Sequence, residues 1–180
     1  MTTLRERYCE AQTFDEFLAG VEKNRDLWLA IARRASSPDE FAARVQATGE
    51  RWHLLVLAED WCGDAVNVLP FIAKLADATS NLDLRVLGRD ANSDLMDGHL
   101  TGTSQSIPVV ILLDADFKEQ AWWGPRPREL QEWVLGADRS LPAADRYRDM
   151  RRWYVQDRGV GVLKEIVAVI EDAFNKDVAA

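Results

Sequence analysis

The chain of 180 residues carries 22 Lys and Arg against 30 Asp and Glu, a formal charge of −8, with 47% hydrophobic residues and 7 tryptophans. That length and apolar content suit one domain with elaborations around a core. The acidic balance excludes a nucleic-acid footprint, which needs a basic face, and disfavours an anionic membrane surface.

Residues 1 to about 50 read as helical. Thr13-Phe14-Asp15-Glu16 is a capping box, with Thr13 as N-cap and Glu16 three residues on. Phe14, Phe17, Leu18 and Val21 follow at helical spacing, and Leu27, Trp28, Ile31 and Ala35 continue the apolar face. Ser37-Pro38-Asp39-Glu40 predicts a second start, with Ser37 capping, Pro38 in the first turn and Glu40 closing the box. Phe41, Val45 and Thr48 follow, and Gly49 ends the helix.

An alternating order then begins. Trp52 to Ala58 reads as a buried strand, Glu59-Asp60-Trp61 as a turn, and Gly63 to Ala78 as a helix. Leu82 to Leu87 is a second strand. Asp90 and Asn92 are expected to bond loop backbone, and Ser93 to cap a short helix ending near Leu100. Met96 is expected inside that helix's packing, and His99 at the surface or helix end. After a Thr/Gly/Ser loop come a dense apolar strand, Val109 to Leu113, and its hairpin partner, Lys118 to Trp123. Gly124-Pro125-Arg126-Pro127 breaks the chain before a helix near Arg128 to Leu135. Ala143 to Phe174 is helical again, with Tyr147, Met150, Trp153 and Tyr154 on one face and a break at Gly159-Val160-Gly161. The order β-α-β-α-β-β-α predicts an α/β fold with a central mixed sheet.

The chemistry concentrates at Trp61-Cys62-Gly63-Asp64-Ala65. Cys62 stands where a strand turns into a helix, so unpaired backbone N–H groups and the helix dipole favour its thiolate. Asp64 would oppose the thiolate if close, or supply a negative charge suited to the first helical turn. In a two-cysteine site the residue three after Cys62 is the resolving thiol; here it is Ala65. Cys9 is the second cysteine, and a Cys9–Cys62 disulfide stays open. Two cysteines do not make a secreted disulfide scaffold, and with His53 and His99 they have no metal-ligand spacing, so no metal is expected. Residues 1–7 show no signal-peptide pattern, and no apolar run approaches the ~20 residues that cross a bilayer. A reducing cytoplasm is the expectation.

These residues resemble the thioredoxin superfamily over residues 52–135: the strand into Trp61-Cys62-Gly63-Asp64, Pro70 within the next helix, and Ser106-Ile107-Pro108 before an apolar strand. The longer pattern is similar to a bacterial group within that family. It comprises Trp61 to Asp64, Arg89 to Asp97, Ser106 to Pro108 and Trp123 to Pro127, with helical extensions at both ends. The resemblance implies a thioredoxin-like fold in a single domain of residues 1–180. Its parts are an N-terminal helical extension (1–51), a core (52–136) and a C-terminal helical extension (137–180). It also implies a cis Ile107–Pro108 bond facing Cys62, with Ile107 offering backbone to an extended substrate segment. Trp61, Gly63, Asp64, Ile107, Pro108 and Trp123 are the groove candidates, although Trp123 reads equally as core. Two departures stand out: Ala65 replaces the resolving cysteine, and Val56 replaces the buried aspartate that moves protons in thioredoxins.

The expected function is monothiol thiol–disulfide exchange through Cys62, with protein thiols or disulfides, or low-molecular-weight thiols, as partners. No cofactor is expected beyond a low-molecular-weight thiol as co-substrate. The alternative is a non-catalytic module that binds a peptide or protein in the same groove.

Overall fold

Two capping boxes start the chain. Thr3 and Thr13 each accept the N–H of the third residue of their helices, α1 (Leu4–Glu10) and α2 (Phe14–Gly20), while Glu6 and Glu16 reach back to the threonine backbone. The Thr13 box was expected; the Thr3 box is its unread twin. The helical face does not run on from Val21 to Leu27 as the spacing suggested. Val21 closes α2 in an extended conformation, and α3 (Arg25–Arg34) restarts after Asn24 at φ 53°. The interruption has a cause: Oδ2 of Asp60 accepts the backbone N–H of Glu22 at 2.9 Å and of Lys23 at 2.7 Å. N–H groups of the connection between α2 and α3 are thereby satisfied from another segment. α4 (Asp39–Ala47) also departs from expectation, because Pro38 rather than Ser37 is its N-cap and no side chain caps it.

The structure, a computed structural model, describes residues 2–136, 140 and 142–178. Its sheet has the order β2-β1-β3-β4. All seven residues of β1 (Trp52–Ala58) are buried, as befits a strand covered on both faces. α5 (Gly63–Asp77) crosses over to β2 (Leu82–Gly88), which runs parallel to β1 with Val56 opposite Val86. The outer edge of β2 is covered by Gln12, which exchanges backbone hydrogen bonds with Val86 at 3.0 and 2.8 Å; pairing of this kind protects an edge strand.

A short α6 (Ser93–Asp97) has Asn92, not Ser93, as N-cap, and Met96 is fully buried. Asn92 is held elsewhere: its amide donates to Gly88 O and its Oδ1 accepts from Arg7. Asp90 pairs with Arg89 instead of loop backbone. β3 (Val109–Leu113) runs antiparallel to β1, and β4 (Glu119–Trp123) antiparallel to β3. His99 lies at the end of α6 as expected but not at the surface: it is 4% exposed, with Nδ1 2.7 Å from Leu95 O and Nε2 3.0 Å from Oε1 of Glu119 on β4.

Three more helices follow among the described residues, α7 (Arg128–Gly136), α8 (Ala143–Asp157) and α9 (Val160–Val178). The core–extension boundary expected at 136–137 adjoins residues 137–139, which lie outside the described residues. The α8–α9 break falls where expected. Gly159 has φ +78°, and a Cβ there would lie 2.3 Å from the Phe71 ring, so only glycine fits. One apolar core joins the sheet to both extensions, through Trp28 and Val45 from the first and Leu163, Ile166 and Ile170 from the last. No helix among the described residues is long and apolar enough to cross a membrane.

Candidate active site

Cys62 is the N-cap of α5. Its carbonyl accepts the N–H of Val66 at 3.2 Å, and its Sγ accepts the N–H of Ala65 at 3.4 Å. The thiol in turn donates to the Ile107 carbonyl at 3.3 Å. The residue is 7% exposed. Burial pushes the thiol above its ordinary range and the Asp64 charge adds to this, while the Ala65 and Asp64 backbone N–H groups and Arg126 pull it down. The helix terminus is therefore present, but desolvation outweighs it, and the resting sulfur is a protonated thiol that donates a hydrogen bond. The helix position favours the thiolate and burial opposes it, and here burial is the larger influence.

The turn before Cys62 is held by the N-terminal extension. Besides the Asp60 carboxylate bonds, Nε1 of Trp28 donates to Asp60 O at 2.8 Å, and the Asn24 amide donates to Asp60 O and Trp61 O at 3.3 and 3.2 Å. Trp61 projects outward, 46% exposed, with the Arg89 guanidinium 4.9 Å from its ring centroid.

Asp64 resolves into a third arrangement that the sequence reading did not contain. It is 8% exposed, with Oδ2 2.5 Å from Arg126 and Oδ1 accepting the Tyr154 hydroxyl at 2.8 Å. Arg126 also donates to Gln131 at 2.9 Å. Burial, then the Asp64 charge, push the Tyr154 phenol far above its ordinary range, so it stays a donor. A buried carboxylate needs this partnership, since an unpaired charge away from water is strongly unfavourable.

The Ile107–Pro108 bond is cis, and so is Gly124–Pro125, which was not foreseen. The two segments touch. Gly124 has φ +144°, and a Cβ there would lie 2.2 Å from the Pro108 carbonyl oxygen. Glycine lets the Trp-Gly-Pro-Arg-Pro loop lie against Pro108 and carry Arg126 to Asp64. Trp123 itself is not a groove wall. It is 8% exposed, and its indole N–H donates to Glu165 of α9 at 2.7 Å, while Glu165 also accepts the Arg128 N–H.

A cavity of about 490 Å³ opens over the sulfur. Of the expected groove residues, Trp61, Cys62, Gly63, Asp64 and Ile107 line it, whereas Pro108 and Trp123 do not. The core adds Asn67, Ser106 and Arg126, and the extensions supply Asn24 and Leu27 from one end and Tyr147, Met150, Arg151 and Tyr154 from the other. The shared face of Tyr147, Met150 and Tyr154 was visible as helical spacing, but nothing in the sequence said what it faces. Arg126 stood in the sequence only as part of the chain break Gly124-Pro125-Arg126-Pro127, with nothing to pair it with Asp64. Cys9 is a free, exposed cysteine on α1 and is not part of the cavity.

A family model described as thioredoxin matches residues 11–148. Among solved structures, a protein of unknown function from Pseudomonas aeruginosa is 19% identical, with a TM-score of 0.77 over 96% of this chain and 99% of that one. An HIV epitope-scaffold is also 19% identical, with a TM-score of 0.75 over 95% of this chain and 99% of the other. At that identity the likeness speaks for the fold. No curated protein matches the sequence.

Proposed function

This chain belongs to the thioredoxin family, and from that membership we propose that it carries out single-cysteine thiol–disulfide exchange through Cys62. The observation that supports this most is the setting of the sulfur. It lies at the N-cap of α5, on the wall of a cavity, with the Ala65 N–H directed at it and the Ile107 carbonyl beside it. Ionised Cys62 attacks one sulfur of a disulfide R–S–S–R′. A new S–S bond forms between Cys62 Sγ and the sulfur that bears R, the original S–S bond breaks, and the leaving thiolate R′–S⁻ takes a proton from water. A second, external thiolate attacks the mixed disulfide, releases Cys62 and forms a new disulfide with R. Ala65 cannot perform this second step, so the recycling thiol comes from solution. The partners on this reading are protein disulfides or low-molecular-weight ones. Protonation of the resting thiol makes the reaction slow near neutrality and faster as pH rises, because the thiolate is the nucleophile.

A second reading, a non-catalytic groove for a peptide or protein, is favoured by that same buried, hydrogen-bond-donating thiol. One experiment separates them. Cys9→Ser protein is incubated at alkaline pH with hydroxyethyl disulfide and its intact mass followed. Exchange requires one mercaptoethanol adduct on Cys62, reversed by added dithiol. Absence of any adduct, with Cys62 shown intact and reduced, leaves the binding module. Insulin reduction should be negligible on either reading.

A further inference from the structure

We infer that the disulfide exchanged at Cys62 is a low-molecular-weight one that bears a carboxylate. The inference rests on the exchange reading above and adds the chemistry of the substrate. Size supports it first: about 490 Å³ lies within the range of small-molecule sites, and helices from both extensions wall a space that a bare thiol site on a sheet edge would leave open. Charge supports it second. The ionised groups lining the cavity are two cations, Arg126 and Arg151, against one carboxylate, Asp64. Asp64 is fully engaged with Arg126, which leaves Arg151 over. Along α8, Arg148 and Arg152 face Asp145 or Asp149 as ion-pair partners. Arg151, on the cavity wall, makes no ion pair among the described residues, and its Nε donates only to the Tyr147 carbonyl at 3.3 Å. An unpaired guanidinium in the wall of a site, on a chain whose net charge is −8, is a local reversal of sign suited to a carboxylate. Trp61 and Met150 supply apolar walls for the carbon chain of the ligand.

The test uses the full chain with Cys9→Ser and three symmetrical disulfides of similar size: those of 3-mercaptopropionate (anionic), mercaptoethanol (neutral) and cysteamine (cationic). Rates of mixed-disulfide formation at Cys62 are divided by each disulfide's rate with a free small thiol, which removes intrinsic reactivity. The expected normalised order is anionic over neutral over cationic, with about threefold to fivefold between steps, the upper scale of one exposed ion pair. Arg151→Glu should invert the order, Arg151→Lys should retain it, and high salt should compress it. Equal normalised rates, or an order unmoved by Arg151→Glu, would overturn the inference while leaving exchange in place. No adduct from any of the three would remove exchange itself, and the inference with it.

Discussion

The bond between Tyr154 and Asp64 gives the sharpest test of how the C-terminal helices serve the site. Tyr154→Phe keeps the ring and its packing and deletes one hydroxyl, which donates to Oδ1 of Asp64 at 2.8 Å. A hydrogen bond to a charged group contributes about 1.5–3 kcal/mol, and here the loss leaves a carboxylate oxygen in a residue only 8% exposed. For a chain of this length each kcal/mol moves the melting temperature by about 2–4 °C, so a fall of roughly 3–12 °C is expected. Asp64→Asn should cost more, because it leaves Arg126 without its anion. Breaking a buried pair costs about 3–5 kcal/mol, and the figure here is reduced to about 2–4 by the 18% side-chain exposure of Arg126. Urea unfolding of wild type, both single variants and the double variant closes a thermodynamic cycle, and two groups in direct contact should couple by about 1 kcal/mol or more. If Tyr154→Phe unfolds within about 0.5 kcal/mol of wild type, or the two substitutions add without coupling, the network does not hold α8 to the first turn of α5 and the reasoning fails.

Three further outcomes follow from the geometry. Because burial and the Asp64 charge hold the Cys62 thiol above its ordinary range, iodoacetamide at neutral pH should modify exposed Cys9 well before Cys62, with Cys62 labelling climbing only on strongly alkaline titration; mass mapping that finds Cys62 labelled first would contradict this. His99 is held above its ordinary range chiefly by Glu119, so its ion pair contributes fully below the usual histidine range and is lost as pH rises through the raised value. The stability difference between wild type and Glu119→Gln should therefore shrink from about pH 5.5 to about pH 8.5. The comparison must be a difference, because His53 is shifted down by burial and contributes in the opposite sense. Gly124→Ala should be severe, since its Cβ would fall 2.2 Å from the Pro108 carbonyl oxygen. Soluble protein with unchanged Cys62 labelling kinetics would show that the two proline loops do not depend on that contact.

The strands were readable because their causes are local. β1 is a run of seven residues, apolar but for His53, and β3 a run of five apolar residues, and both have the bounds that the sequence predicted. The helix starts were less so wherever a distant group replaced the local cap. Ser93 is a sound capping residue by type, yet Asn92 takes the position and spends its side chain on Gly88 and Arg7. The burial of His99 was not legible because nothing near it in sequence is its partner; Glu119 lies 20 residues on, across a strand and a turn. The site divided in the same way. Cys62 was legible from its strand-to-helix turn and Ile107 from the family resemblance, whereas Tyr154 reaches Asp64 across 90 residues, and no periodicity in either segment could pair them.

That long-range pairing bears on the missing aspartate. Val56 is fully buried in β1, opposite Val86 and Val110, and carries no titratable group. A buried carboxylate is nevertheless present on the helix side, two residues after the cysteine. Its Oδ2 faces the Arg126 guanidinium and its Oδ1 the Tyr154 hydroxyl, so Asp64 is tied to two donors instead of being poised to take a proton from sulfur. As a fixed anion it holds the thiol up, the reverse of what fast dithiol chemistry needs. Ala65 and Val56 remove the resolving and proton-moving groups; burial then holds the remaining thiol up, with Asp64 adding to it, Arg126 opposing it and Tyr154 bonded to Asp64. Those three come from the first turn of α5, the loop after β4 and the C-terminal extension. The appended helix α8 is thus part of the thiol's electrostatic environment as well as a wall of its cavity, and a change in α8 that frees Asp64 from Tyr154 should register in Cys62 reactivity even where nothing touches the sulfur.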